Sequence, residues 1–161
     1  MNQPRETLTW EDIKEQSLTW SQLRKMGLSA EHLREVQMDK EEWVARGGLS
    51  LKDTKDMLVL KINPFLDMKA DFAEVWAMGW SAEELVSMGV TIEQMISRGM
   101  TNKVMPVMKF SLNGWLDLGF NSKHLENMNE SEVYNTFGMS YKELKKFLKE
   151  IEKEHDHHNN A

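Results

Sequence analysis

The chain of 161 residues contains no cysteine. Disulfide frameworks, zinc fingers, iron–sulfur clusters and thiol catalysis are therefore excluded. Proline occurs only 3 times, which suits a chain built from helices. No apolar run approaches the roughly 18 residues that a membrane-spanning helix needs. The stretch MNQPRETLTW lacks the basic and apolar blocks of a signal peptide, so a soluble, cytoplasmic protein with no membrane contact is expected. Positive charge is also scarce. Lys and Arg total 20 against 26 Asp and Glu, a net charge of -6. That balance argues against nucleic acid as the first choice of partner, because phosphate neutralisation supplies much of such binding.

Catalytic signatures are missing as well. There is no G-x-S-x-G, no P-loop, no G-x-G-x-x-G and no H-E-x-x-H. The acidic pairs Glu41–Glu42 and Glu83–Glu84 read as first-turn acids that oppose the helix dipole. His155, His157 and His158 lie in a polar tail beside Glu154 and Asp156. They could hold a transition metal weakly, but a solvated tail is the simpler reading. His32 and His124 are expected to face solvent. No catalytic residue, cofactor or metal site is expected.

What the chain does contain is methionine, 13 of them, with 6 Trp. Methionine fills irregular gaps and suits a core assembled from many small elements. Above all, the chain repeats itself every ten residues. Residues 80–89 read WSAEELVSMG and 90–99 read VTIEQMISRG. Each unit has an apolar residue first, Ser or Thr second, an apolar residue sixth and Gly tenth. The period continues through LTWEDIKEQS at 8–17, LTWSQLRKMG at 18–27, LSAEHLREVQ at 28–37 and MDKEEWVARG at 38–47. After the extra Gly48 it resumes with LSLKDTKDML at 49–58. ADFAEVWAMG occupies 70–79, FSLNGWLDLG 110–119 and FNSKHLENMN 120–129. A nine-residue unit at 130–138 and MSYKELKKFL at 139–148 complete it.

One continuous helix cannot carry this period. Ten residues at about 100° each leave the apolar face 280° out of phase, whereas coiled coils repeat every seven or eleven. A short capped helix explains it. The second residue is an N-cap, and an acid or amide three residues on completes a capping box. The predicted pairs are Thr19 with Gln22, Asp39 with Glu42, Asp71 with Glu74, Ser81 with Glu84, Thr91 with Gln94 and Ser140 with Glu143. The structural corners are Gly27, Gly47, Gly79, Gly89, Gly99 and Gly119, whose left-handed conformation ends a helix. A two-turn helix is unstable alone, so positions 1, 6 and 9 must be buried against neighbouring units. The expected fold is all-α, a stack of short capped helices resembling a small α-solenoid.

The expected organisation is an N-terminal arm at 1–7, a first repeat lobe at 8–58 and an irregular seam at 59–69 around Pro64. A second lobe follows at 70–148. Residues 149–161 form the end of a terminal helix and a disordered tail from 155. Pro106 interrupts the unit 100–109. Lys142, Lys145, Lys146 and Lys149 are the densest basic stretch, but acids interleave with them and Lys146 is expected to pair with Glu150.

Ser81-Ala82-Glu83-Glu84-Leu85, then Met88-Gly89 and Val90-Thr91, resemble decapeptide short-helix arrays of the form Gly–apolar–Ser–x–x–Glu–Leu. Such arrays occur in large DNA viruses and in protists. The resemblance covers residues 8–58 and 70–148. It departs at Pro64 and Pro106, and where Gln37 and Asn129 replace Gly. It carries no activity and implies a binding or structural role, such as a minor virion or scaffold component. The expected function is thus non-enzymatic binding of a protein or a second copy of the chain, in the cytoplasm or in a virion. The alternative is nucleic-acid binding, which requires basic residues to gather on one face. Trp10 and Trp20, both at position 3, form either an exposed ladder or a contact buried between the lobes; with the seam residues Pro64 and Phe65 they are the candidate partner-binding residues.

Overall fold

The computed structural model describes residues 8–159, apart from the side chains of Met57 and of residues 155–159. The expected arm at 1–7 and the last two residues lie outside it. All regular structure among the described residues is helical. Helices α1 to α4 are Trp10–Glu15, Trp20–Lys25, Ala30–Glu35 and Lys40–Ala45, followed by a 3-10 helix at Leu51–Leu60. Then come α5 Phe72–Trp76, α6 Ala82–Ser87, α7 Ile92–Ser97, α8 Met105–Met108, α9 Leu112–Asp117, α10 Ser122–Glu126 and α11 Glu130–Phe137. The terminal helix α12 spans Tyr141–Asn159.

Each repeat helix starts and stops by the chemistry of its own ten residues. Thr19, Ser81 and Thr91 form reciprocal capping boxes with Gln22, Glu84 and Gln94. Four further boxes come from Thr9 with Asp12, Ser29 with His32, Asn121 with His124 and Asn129 with Glu132. Three expected boxes are incomplete; at Ser140 the hydroxyl caps Glu143 N–H, and the Glu143 carboxylate accepts from that hydroxyl in place of the Ser140 N–H. Asp39 caps Glu42 N–H, but the Glu42 carboxylate turns to Arg46 at 2.8 Å. Asp71 makes no side-chain cap bond. At the other end, the tenth residue takes a left-handed φ in every α-helical ten-residue unit up to 110–119, whereas in 120–129 Asn129 is extended and caps the next helix. In several units the next N–H reaches back five residues, as in Val90 N–H to Leu85 O at 3.0 Å. The six expected glycine corners all have φ between 73° and 114°. Ser17, Gln37 and Lys109 hold the same place in their units, and Lys69 ends the seam, all with φ between 50° and 56°. The corner is therefore set by the helix end, and glycine is the cheapest residue for it.

Position 6 is buried in every ten-residue unit from Ile13 to Leu125 that forms an α-helix. Position 3 is a further core position. Trp20, Ala30, Phe72, Ala82 and Ile92 are buried there, one helical turn before position 6 on the same face. The units are tied across the stack at the same point. Phe72 N–H donates to Arg98 O at 2.9 Å, and Ile92 N–H to Leu118 O at 2.7 Å. Each tie reaches the unit two places ahead. Helices three units apart also touch, α6 on α9 and α8 on α11. The approach of α6 to α9 is close because Gly114 faces Ala82, with room for no more than hydrogen at Gly114.

The buried apolar residues form two clusters. One runs from Leu8 to Ile62 and the other from Phe65 to Leu148. The chain passes between them at Asn63 and Pro64. Asn63 is buried and fully engaged. Its amide donates to Gly89 O at 3.2 Å and Gln94 Oε1 at 2.9 Å, and its Oδ1 accepts from Phe65 N–H at 2.9 Å and Leu66 N–H at 3.2 Å.

Two local expectations are corrected. The unit 49–58 is a 3-10 helix that extends to Leu60, not a two-turn α-helix. The Ser50 hydroxyl donates to Asp53 Oδ2 instead of capping, and the buried Thr54 hydroxyl donates to Leu51 O. The terminal helix does not give way to a tail at residue 155, because its backbone stays helical to Asn159. No Pro or Gly lies between Tyr141 and Asn159 to stop it.

Candidate interaction surfaces

An exposed ladder at Trp10 and Trp20 is not present. Trp20 is buried, its indole N–H donating to Asp56 at 3.3 Å and its backbone N–H to Gly48 O at 2.7 Å. Trp10 is half-buried, packs on the N-terminal cluster and carries the Lys14 ammonium 5.6 Å from its ring centre. Pro64 and Phe65 are buried in the seam. The physical reason is shared: position 3 faces the core, and Phe65 is the first residue of the second cluster. None of these side chains forms an open surface.

The structure instead opens a concavity of about 400 Å³ between two corners three units apart. Gly79 and Lys109, both left-handed, frame it. Trp76 and Phe110 supply aromatic walls, with ring centres 6.4 Å apart and an edge-to-face angle of 75°. Phe110 continues onto the buried Trp115 at 5.1 Å, and Phe72 stacks on Trp76 at 6.5 Å. Glu83 and Lys109 place opposite charges at its rim. Sequence carried one sign of this site. Trp76 sits at position 7, outside the expected core positions, and flanks the corner Gly79 together with Trp80.

The second surface lies on α12. Lys142, Lys145, Lys146, Lys149 and Lys153 recur at helical spacing within an arc of about 100°. They line a shallow depression of about 340 Å³ together with Glu150. The apolar Leu144 and Leu148 occupy the opposite, buried face. The interleaved acids largely point elsewhere. Glu152 accepts from Ser122 N–H at 3.0 Å and from its hydroxyl at 2.9 Å, and Glu143 bonds the Ser140 hydroxyl at 3.1 Å. The expected Lys146–Glu150 pair is not formed. Among the described residues none of the five lysines has a carboxylate within 4.0 Å.

No group of three or more His, Asp or Glu that could hold a metal occurs among the described residues. The tail histidine side chains lie outside them. No helix among the described residues is long and apolar enough to cross a membrane.

His32 and His124 do not simply face solvent. Each is the third helical residue of a capping box, and Nδ1 of each accepts the N-cap N–H, from Ser29 at 3.0 Å and Asn121 at 3.1 Å. The proton of neutral His124 therefore sits on Nε2. Burial against Phe120 holds the His124 pKa below its ordinary value of 6.5, and Glu93 at 3.9 Å opposes this more weakly. The unfolded chain then takes up this proton more readily than the folded one. Stability from His124 is full above about pH 6.5 and is lost as pH falls through the lower folded value. His124→Gln keeps a box-forming side chain without the titration. Urea unfolding at pH 7.5 and 5.0 should show a smaller acid loss in the variant. An equal loss in both proteins would remove His124 as a source.

No family model matches the chain, and comparison with curated proteins and with solved structures finds no match.

Proposed function

We propose that the chain is a non-enzymatic structural or scaffold protein that holds another protein against its ridged helical surface. The observation that carries this reading is the concavity at Trp76 and Phe110. Aromatic side chains of the second cluster come to its walls, in a shape that fits one or two apolar side chains of a partner. Half-buried aromatics with a polar rim are the usual anchors of a protein interface. A cytoplasmic or virion location is consistent with such a role, as is a second copy of the chain as the partner.

The test is capture from the native source after nuclease treatment, with the wild-type chain, Trp76→Ala and Glu83→Arg. One or two stoichiometric proteins held by the wild type and reduced at least tenfold with both variants would support the concavity. Circular dichroism must show both variants folded. Proteins retained equally by the variants would place the interface elsewhere. Absence of any stoichiometric protein after nuclease treatment would overturn the protein-binding reading.

A further inference from the structure

We propose that the lysine face of α12 is a docking surface for the phosphate backbone of duplex nucleic acid, bound without regard to sequence. This is a second surface, independent of the concavity at Trp76.

The argument begins with the placement of charge. The chain is acidic in total, yet α12 directs Lys142, Lys145, Lys146, Lys149 and Lys153 to one exposed side. The face runs for about 16 Å, with a rung of charge every turn or so. Two of the acids that alternate with these lysines in sequence are drawn off to Ser122 and Ser140, while Glu150 lies at the edge of the depression and Glu154 is exposed outside its lining. Five ammonium groups gathered on one side of a helix repel one another, and a closely spaced run of anions relieves that repulsion.

The chemistry of the face selects the anion. Duplex phosphates recur about every 3.4 Å of helix axis on each strand, a density that suits closely spaced ammonium groups. Lysine meets phosphate as a point charge and needs no fixed fork geometry. The depression is lined by lysines and Glu150, with no aromatic side chain on which an unpaired base could stack. That favours a duplex over a single strand and backbone contact over base readout. Insertion into a membrane is disfavoured, because the apolar face of α12 is already spent on the core through Leu144 and Leu148.

The experiment uses the full chain and a labelled 20-base-pair duplex of random sequence, followed by fluorescence anisotropy across a salt series. If all five lysines engage, log affinity should fall against log salt with a slope of about -4.5, which is several hundredfold between 50 and 200 mM. The triple variant Lys145→Gln, Lys146→Gln, Lys149→Gln should lose at least tenfold in affinity and reduce the slope by about 2.7. Arginine at the same three positions should retain binding. The control variant Lys25→Gln, Lys52→Gln, Lys103→Gln removes three exposed lysines elsewhere and should bind as wild type.

Equal loss in the control would mean diffuse attraction and overturn the site. So would absence of duplex binding at 50 mM salt. Competition by polyglutamate as strong as by duplex, at matched charge, would replace nucleic acid with an acidic protein. Tighter binding to phosphatidylserine vesicles than to duplex would replace it with a membrane surface. Neither the duplex nor the lysine variants touch Trp76, so failure here leaves the protein-docking reading standing.

Discussion

Gly48→Ala should destabilise the protein by about 4 kcal/mol, through overpacking and a lost buried hydrogen bond. A Cβ at Gly48 would overlap the Trp43 indole, at Nε1 and Cδ1 most severely. The indole has nowhere easy to go. Trp43 is 2% exposed, and its Nε1 donates to Leu18 O at 2.8 Å. The glycine backbone is held on both sides, its N–H by Trp43 O at 2.9 Å and its carbonyl by Trp20 N–H at 2.7 Å. At this chain length the loss corresponds to a fall in Tm of about 8–16 °C. Gly89→Ala supplies the contrast. An added Cβ there meets nothing within 4 Å, so only the left-handed backbone is strained, at about 1 kcal/mol. Urea unfolding of both variants checks the difference. If the clash is the cause, Trp43→Leu should absorb most of the Gly48→Ala penalty in the double variant. Equal and small losses in Gly48→Ala and Gly89→Ala would remove the proposed clash.

Gly48 also shows where sequence reading succeeds and where it stops. As an insertion it was visible, since it shifts the glycine phase between the halves. Its reason was not, because the clash joins it to an indole five residues back whose direction depends on the packed core. The same division runs through the chain. Helix starts and corners are local, so Thr19, Ser81, Thr91 and the six corner glycines were legible from spacing. Ser17, Gln37 and Lys109 were less so, because the geometry of a helix end imposes the left-handed turn on whatever residue arrives there.

Position 3 misled for a different reason. Its residue type varies from Trp to Lys, which looks like a surface position. Its direction is set by the turn it shares with position 6, and that direction is inward. The basic face of α12 is hidden when acids are counted along the sequence instead of around the helix, and by the tertiary bonds that draw Glu152 to Ser122. The concavity at Trp76 needs the contact between units three apart, which no ten-residue pattern specifies.

Asn63→Ala should be about as costly as Gly48→Ala, at about 3–5 kcal/mol, and should change the form of unfolding as well as its midpoint. Four hydrogen bonds meet at this side chain. Alanine leaves Gly89 O, Phe65 N–H and Leu66 N–H without it, and a buried polar group stripped of its partner costs about 1–3 kcal/mol. The position matters as much as the number. Ile62 before it is fully buried in the first cluster, and Phe65 after it is 1% exposed in the second. Asn63 ties that crossing to the corner after α6 through Gly89 and to α7 through Gln94. Lys55 makes a parallel tie from the 3-10 helix to Gly79 O at 3.1 Å, but from a more exposed place. With Asn63 removed, the two clusters should lose much of their coupling. Calorimetry should then resolve two transitions where the wild type shows one. Asn63→Asp separates the two jobs of the side chain. It keeps the acceptor bonds that shape the turn at Phe65 and Leu66, and it turns an unpaired carboxylate oxygen toward Gly89 O and Gln94 Oε1. If the cross-link is what joins the clusters, Asp should split the transition as Ala does. A single transition within 2 °C of wild type in both variants would mean that apolar contact alone couples the two halves, and that Asn63 serves only the local turn.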